Sequence, residues 1–340
     1  MYFPSKLSVS VVIPVYNGGE SFRQCLSSLT KMIPQPQEII VVADGDTDNS
    51  WRLAEQFGAR VLRIPTCGGP ARARNLGVRA AKSDIILFVD ADVAIAPDAI
   101  SKVAIAFEQD PNLAAMIGSY DDAPGATNFL SQYKNLLHHY THQISNEEAF
   151  TFWGAIGAIR RDIFLGIGGF DESYRLPSIE DIELGYRLKK AGHQIRLCKT
   201  LQGKHLKHWG LISLLRADFF YRAIPWTALI LRDRSLPNDL NLGVSSRFSI
   251  LLTYKLAIAL ACALWWPSLL IAAGLIGLPL LLINAPLYRF FGRKHGLFFA
   301  LKTIPWHWFY YFYGGLAFAI GVVRHLFYTI NLPRLTRSTS

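Results

Sequence analysis

Two carboxylates, Asp90 and Asp92, close the apolar run IILFV in the stretch FVDADV. In an extended segment, side chains at i and i+2 point the same way. The pair is therefore expected to converge on one hard cation, or on something a cation carries. Asp is also common in turns, so two acids can simply mark a strand end. Asp44 ends a second apolar run, EIIVVAD, and Glu180-Asp181 opens EDIELGYRLKK. Ser178-x-x-Asp181 also resembles a capping box, and acids in a first helical turn stabilise its positive end. In GGPARARNLGV, Arg72 and Arg74 lie two apart and cannot both face one phosphate from a helix. Arg74 is favoured for that role and Arg72 for a solvated face. His138 and His142 have i, i+4 spacing, but no glutamate follows His138 as in HExxH, and no third ligand is evident. They are expected to form a solvated or interfacial face.

These residues need elements to hold them. VSVVIPV, EIIVVAD, ARVLRI and DIILFVD read as buried strands, with helices over 19–32, 47–57 and 70–82 between them. Fully apolar strands alternating with helices indicate a parallel sheet covered on both faces. Ligands of such sheets sit at the carboxyl ends of the strands, where Asp44, Asp90 and Asp92 all fall. Pro14 fits as a strand terminator, and Asp46 and Asp48 as caps of the next helix. Beyond residue 112 the pattern weakens: a helix is expected over about 125–144, another over about 179–191, and HQIRLCK as a closing strand.

The chain has 340 residues and a net charge of +10, unevenly spread. From Lys199 onward there are 16 Lys/Arg against 3 Asp/Glu, whereas the first 198 residues hold 19 against 22. The positive excess flanks long apolar runs, which points to a membrane surface. No basic helix interleaved with aromatics occurs in the polar half, which argues against nucleic acid as a partner. Cys25, Cys67, Cys198 and Cys262 have neither a CxxC pair nor zinc spacing and suit a reducing compartment. VSVVIPVY is too short and too β-branched for a signal-peptide core, so the N-terminal part is expected in the cytosol. Between Leu256 and Ile283 there is no charge. About 20 helical residues cross a bilayer, so 247–288 reads as a two-helix hairpin turning at Trp265-Trp266-Pro267, with Lys255 its weak point. The basic loop RFFGRKHG suits the cytosolic side. A third apolar segment, about 304–323, either crosses or lies in the interface.

SVVIPVYNGG, VVADGDTDNS, GGPARARNLGV, FVDADV, GGFDE and IEDIELGYRLKKAGHQI resemble, in order and spacing, the inverting, nucleotide-sugar-dependent glycosyltransferases of family 2. The resemblance covers about residues 8–209. It implies an α/β GT-A fold, Rossmann-like with a mostly parallel sheet, followed here by a helical membrane region. It also implies donor contacts at Pro14, Asp44, Arg74, Asn75 and Asp90. Asp44 would meet the nucleobase, although Ala43 stands where the family usually has a first acid, which loosens the identity of the base. A divalent cation, Mg²⁺ or Mn²⁺, would be held by Asp92 and by His205 of GKHLKHW, with His208 as second choice. Asp181 would be the base, supported by Glu180, and Trp153 and Trp209 would meet the acceptor. HLKHW stands where processive members carry Gln-x-x-Arg-Trp, which suggests a single transfer.

The expected organisation is a catalytic domain over 1–210, an amphipathic linker over 211–246, membrane helices over 247–330 and a tail over 331–340. The expected partners are a nucleotide-sugar donor, a lipid-linked or saccharide acceptor, and the membrane. The expected location is the inner membrane, multi-pass, with the catalytic domain on the cytoplasmic face. A dinucleotide-dependent oxidoreductase would need GxGxxG after the first strand, and IPVYNGG is not that. A non-catalytic membrane scaffold would be expected to have lost carboxylates, yet Asp90, Asp92 and Asp181 are present.

Overall fold

The computed structural model describes residues 7–237 and 240–335, and the chain divides into two compact units between Gly210 and Leu211. Among the described residues, the first unit is built on eight strands: β1 (Val9–Val15), β2 (Glu38–Asp44), β3 (Arg60–Ile64), β4 (Ile85–Val89), β5 (Val93–Ile95), β6 (Leu113–Tyr120), β7 (Ile156–Arg160) and β8 (Gln194–His205). They form one sheet in the order β3-β2-β1-β4-β7-β6-β8-β5. Its helices are α1 (Gly19–Leu29), α2 (Ser50–Gln56), α3 (Pro70–Ala80), α4 (Ala99–Gln109), α5 (Phe129–Ile144), α6 (Arg161–Gly166) and α7 (Glu180–Lys190).

The β1–β4 half is parallel, as its apolar strands predict, although β3, expected to be buried, lies at the edge with Arg60 and Arg63 exposed and only Ile64 buried. One face of β1, with Val11 and Ile13, packs with Phe22 and Leu26 of α1 and Phe107 of α4. Val12, facing the other way, packs with Val78 of α3 and with Phe164. Burying a Val, Leu or Phe side chain fully contributes about 1.5–3 kcal/mol, so strands buried on both faces carry much of the stability. Gly77 lets α3 lie close on the sheet: a Cβ there would come within 2.4 Å of Val12 Cγ1. Pro14 falls where β1 has outrun β4, whose last partner is Phe88 pairing Val12. The Ser8 carbonyl accepts from β4 and the Val9 carbonyl from the β2 side. Alternation then turns the missing N–H of Pro14 toward β4, where no ladder bond is lost.

The second half of the sheet departs from the sequence reading. β7 enters antiparallel between β4 and β6, and β5 pairs antiparallel with β8, so three of the seven pairings are antiparallel. LAAMIGSY of β6 is buried at every position and so shows no alternation to read. HQIRLCK does not end at Lys199 but runs on to His205. FVDADV differs too. β4 stops at Val89, and residues 90–92 turn, closed by the Val93 N–H donating to the Asp90 carbonyl at 3.0 Å. Asp90 and Asp92 are therefore not alternate residues of one strand. They sit in the turn that carries the chain from the sheet centre to its edge.

The second unit contains α8 (Leu211–Arg216), a π-helical segment (Ala217–Ala223), α9 (Ile224–Asp233), a short 3-10 turn (Leu240–Leu242), α10 (Val244–Cys262) and α11 (Leu269–Leu335). The region read as a linker is thus largely helical. α10 and the 269–327 part of α11 are long and apolar enough to cross a membrane. Ile258, Ile271, Leu275 and Leu282 are each more than 60% exposed, a density of outward apolar side chains that water does not favour. The hairpin turn falls at Trp265-Trp266-Pro267, with α11 beginning two residues after the proline. RFFGRKHG is not a loop: the helix continues through it and breaks only at Gly296, whose φ of 84° leaves the helical region. Of the expected tail, 331–335 continue the helix and 336–340 lie outside the described residues. Asn284 ties this unit together, donating to Ser249 Oγ at 3.0 Å and accepting from the Tyr311 hydroxyl at 2.8 Å. Side-chain hydrogen bonds of this kind fix helix register where apolar packing alone is permissive.

Candidate active site

Arg74 sits at the centre of the site. α3 enters through Gly69, whose φ is 92°, with Pro70 as its first residue, a pre-organised start for a helix. Two residues apart at 3.6 per turn, the arginines point to opposite sides of α3, which leaves Arg72 exposed and Arg74 only 4% exposed. Its guanidinium spans two carboxylates: Nη2 donates to Asp90 Oδ1 at 2.7 Å and Nη1 to Glu180 Oε1 at 2.9 Å. The two acids around it keep this buried guanidinium charged against the cost of its burial, and raise its pKa. Gly154 makes the room, since a Cβ there would lie 3.0 Å from Arg74 Cζ. One side chain thereby joins the turn after β4 to the start of α7.

The acids of α7 differ in what they have left to offer. Glu180 is 4% exposed, and its second oxygen accepts from the Ser178 N–H at 2.9 Å. Asp181 is half-buried, accepting from the Gly154 N–H at 3.0 Å and from the Ile182 N–H at 2.8 Å. The capping box does not form: Ile179 holds the N-cap position and no side chain caps it. Burial, and then the Glu180 carboxylate beside it, push Asp181 from an ordinary 3.8 up to about 6. A carboxyl so poised ionises just below neutrality, which suits proton abstraction.

Asp92 stands on the other side of the turn. The Val93–His205 pairing of β5 with β8, extended by the Leu206 N–H donating to the Asp92 carbonyl at 2.8 Å, brings the end of β8 alongside it. Asp92 Oδ2 lies 3.7 Å from His205 Nε2. Burial acts to raise Asp92, yet His205, Lys207 and the backbone N–H of Asp92 together outweigh this and its pKa is lowered. His208 is exposed and His205 is 6% exposed. Among the described residues, no three His, Cys, Asp or Glu side chains gather around one point. Two ligands nonetheless fit a Mg²⁺ or Mn²⁺ that takes its remaining oxygens from phosphate and water. In an octahedron with bonds of about 2.1 Å, ligand atoms lie between about 3 and 4.2 Å apart, and 3.7 Å falls inside that range.

Several residues singled out in the sequence are committed to holding loops. Asp44, 3% exposed, accepts from the Gly68 and Gly69 N–H groups at 2.9 and 2.8 Å, and Cys67 Sγ lies 3.4 Å from it. Asn75 accepts from the Phe170 N–H at 2.9 Å and donates to the Phe170 carbonyl at 2.8 Å, clasping the GGFDE turn. Asp46 and Asp48 accept from the first N–H groups of α2. Trp209 is 5% exposed, with Lys207 Nζ 4.5 Å above its ring. Trp153 is half-buried, precedes the Gly154 whose N–H meets Asp181, and packs on the Tyr120 ring at the end of β6.

α5 corrects the reading of His138 and His142 as a solvated or interfacial face. His138 is half-buried against Tyr120 and Trp153, His142 is 4% exposed, and His139 beside them is 9% exposed. Nδ1 of His139 donates to the Tyr120 carbonyl at 2.8 Å, and Nδ1 of His142 to the Gly118 carbonyl at 3.0 Å. Because a carbonyl only accepts, both rings carry their proton on Nδ1. Burial pushes His142 down to about 4, so it is neutral. The face is internal because α5 docks its polar stripe on the end of β6. Sequence reasoning missed Tyr120 and Gly154 at the site. Gly154 left a trace, as a glycine directly after the aromatics of FTFWGAIGA; Tyr120 left none.

Residues 10–168 match the model of "Glycosyl transferase family 2". Glycosyltransferase GlyG of Streptococcus pneumoniae is 40% identical over 89 residues, 25% of this chain and 30% of that protein. An uncharacterized glycosyltransferase of Haemophilus influenzae is 29% identical over 189 residues, 53% of this chain and 61% of that protein. The chain thus spans less than two thirds of these relatives. Among solved structures, a mannosyltransferase from Pyrobaculum calidifontis in complex with GDP-Man and Mn²⁺ aligns with a TM-score of 0.60 and 18% identity, over 90% of this chain and 91% of that one. That likeness shows the fold, a GT-A-like sheet followed by apolar helices. Residues 10–168, which lie within the N-terminal unit, belong to glycosyl transferase family 2.

Proposed function

We propose that this protein is a membrane-anchored, inverting glycosyltransferase. It moves one sugar from a nucleotide-diphosphate sugar, with UDP favoured as carrier, to a hydroxyl of a lipid-linked or membrane-near acceptor. The observation that carries the reading is the Arg74 bridge, 2.7 Å to Asp90 and 2.9 Å to Glu180. It joins the Asp90–Asp92 turn, where a diphosphate-bound cation would sit, to the residue next to Asp181. Inversion requires a base on the side of the sugar opposite the leaving diphosphate, and Asp181 is the half-buried carboxylate available there.

Asp181 takes the acceptor hydroxyl proton as the new glycosidic bond forms, its carboxylate aimed by the Gly154 and Ile182 N–H groups. Arg74 and Glu180 fix the start of the helix that carries it. Asp90, fixed by Arg74, faces the donor, and Asp44 serves the nucleobase by shaping the Gly68–Gly69 loop below it. Asp92 and His205 hold Mg²⁺ or Mn²⁺, which supplies charge neutralisation to the departing diphosphate when bound. Trp153, next to the base, is the acceptor-side aromatic. The apolar helices of the second unit anchor the enzyme in the inner membrane, with the first unit on the cytoplasmic face. Envelope polysaccharide or glycolipid synthesis is the setting that fits such an enzyme.

Turnover of a panel of nucleotide sugars with Mn²⁺ tests the reading. No hydrolysis or transfer of any donor would leave a non-catalytic scaffold instead. Asp92→Ala is expected to abolish Mn²⁺-dependent UDP-sugar binding, measured by titration calorimetry, with an unchanged circular dichroism spectrum. A chain ending at Arg234 lacks both candidate spans and is expected in the soluble or carbonate-extractable fraction. Its recovery in carbonate-resistant membranes would displace the anchor from α10 and α11.

A further inference from the structure

The end of β8 leaves one question open: what holds the His205 ring in one orientation? The last torsion of a histidine side chain is broad and only roughly two-fold, so a nearby carboxylate at 3.7 Å does not fix the plane. A ring nitrogen binds a cation through a lone pair lying in the ring plane. Rotation of the ring would therefore carry Nε2 away from any cation that Asp92 holds.

Tyr120 lies flat on that ring, with centroids 4.2 Å apart and planes 9° from parallel. Tyr120 is itself set by its neighbours. His138 lies 4.7 Å from it, and Trp153 meets it edge-on at 4.8 Å, with His138 and Trp153 in mutual contact at 4.5 Å. The backbone beneath Tyr120 is pinned by one face of α5. Asn135 donates to the Asp121 carbonyl at 2.9 Å, His139 to the Tyr120 carbonyl at 2.8 Å and His142 to the Gly118 carbonyl at 3.0 Å. The spacing 135, 139, 142 follows a single helical stripe. Three bonds from successive turns of α5 to the end of β6 and the residue after it leave the Tyr120 ring little freedom to shift.

We propose that Tyr120 is a positioning residue of the cation site, its ring locked by α5, His138 and Trp153 so that Nε2 of His205 stays directed toward Asp92. This rests on the assignment of Asp92 and His205 as the cation pair. The aromatic plate acts through the plane of His205 and touches neither cation nor donor. What it supplies is flatness, so phenylalanine serves in place of tyrosine and an unbranched aliphatic side chain does not. Partners that orient a ligating histidine typically account for 10–100-fold in metal affinity.

The test uses the full-length protein in detergent with UDP and Mn²⁺, read by electron paramagnetic resonance. Tyr120→Met is expected to weaken Mn²⁺ binding about tenfold and to diminish the nitrogen modulation that reports imidazole ligation. Tyr120→Phe is expected to keep both. Metal-free UDP binding and the circular dichroism spectrum establish that the variants are folded. Should Tyr120→Met not fold, His138→Met removes the ring behind Tyr120 and is expected to weaken Mn²⁺ binding by a smaller factor, about threefold, whereas His138→Phe is expected to keep it. Wild-type Mn²⁺ affinity and nitrogen modulation in Tyr120→Met, or in His138→Met where that variant carries the test, would overturn the proposal while leaving the cation pair standing. Equal loss in the Phe and Met variants would overturn it as well, by pointing to the hydroxyl. No Mn²⁺ uptake by the wild type, or uptake unaffected by Asp92→Ala, would overturn the cation pair and this inference together.

Discussion

Asp181→Asn is expected to lower sugar transfer about 100-fold or more, while UDP affinity and melting temperature stay near those of the wild type. An amide cannot take the acceptor proton, and the loss should appear in kcat. The pH profile gives an independent reading. With Asp181 pushed up to about 6, kcat/KM is expected to fall tenfold per pH unit below 6 and to level off above about 7. The stability effect has the opposite sign from an ordinary carboxylate. Asp181 binds its proton more tightly in the folded protein than in an unfolded chain, where its value is near 3.8. Folding is therefore helped as pH drops from 6 toward 4 and opposed when Asp181 ionises above 6. Removing that charge at neutral pH relieves a cost, which offsets the hydrogen bond an asparagine cannot accept. If Glu180→Gln is inactive and Asp181→Asn transfers normally, the base is Glu180, despite its bonds to Arg74 and Ser178.

Arg74→Met carries the largest expected stability effect. The guanidinium is the shared partner of a Glu180 side chain that is 5% exposed and an Asp90 side chain that is 30% exposed. Removing one member of a buried ion pair leaves charge without compensation and typically costs 3–5 kcal/mol. For a unit of this size that corresponds to a fall in melting temperature of roughly 10 °C, measurable by scanning fluorimetry in detergent. Arg74→Lys keeps the charge but cannot span two carboxylates in a fork, so an intermediate loss is expected. Adding Glu180→Gln to Arg74→Met should recover part of the deficit, because one of the stranded charges is gone. A melting temperature unchanged in Arg74→Met would mean that the two carboxylates find other partners.

The parallel half of the sheet was legible because fully buried strands announce themselves as unbroken apolar runs between helices. β6 and β7 were not, for the same reason turned round. LAAMIGSY and IGAIR are buried strands too, but small residues and glycine blur their limits, and no simple alternation marks an antiparallel insertion between parallel neighbours. The chemistry-bearing residues could be named, since Asp, Glu, Arg and His stand out in an apolar chain. Their partners could not. That Asp44 would be spent on the Gly68–Gly69 loop, or Asn75 on Phe170 ninety-five residues away, depends on contacts that no local pattern encodes. His138 and His142 were misplaced because polar rings four apart on a helix look solvated until the end of a strand, with the Gly118 carbonyl and the Tyr120 ring, is brought against them.

The turn after β4 has a consequence for how the protein is made. β5 lies at the outer edge of the sheet, and its strand partner is β8. Asp92 and the strand that follows it leave the ribosome about a hundred residues before the segment that receives them. Through that interval the β1–β4 half can already close on its own helices, because each of its pairings is internal to residues 9–89. The Asp92–His205 pair, in contrast, comes into being only when Gln194–His205 has emerged and docked. Synthesis thus separates two events, an early one that builds the parallel half and a late one that completes the cation pair. A nascent chain arrested before Gln194 would be compact and protease-resistant over residues 9–89, and unable to bring His205 to Asp92.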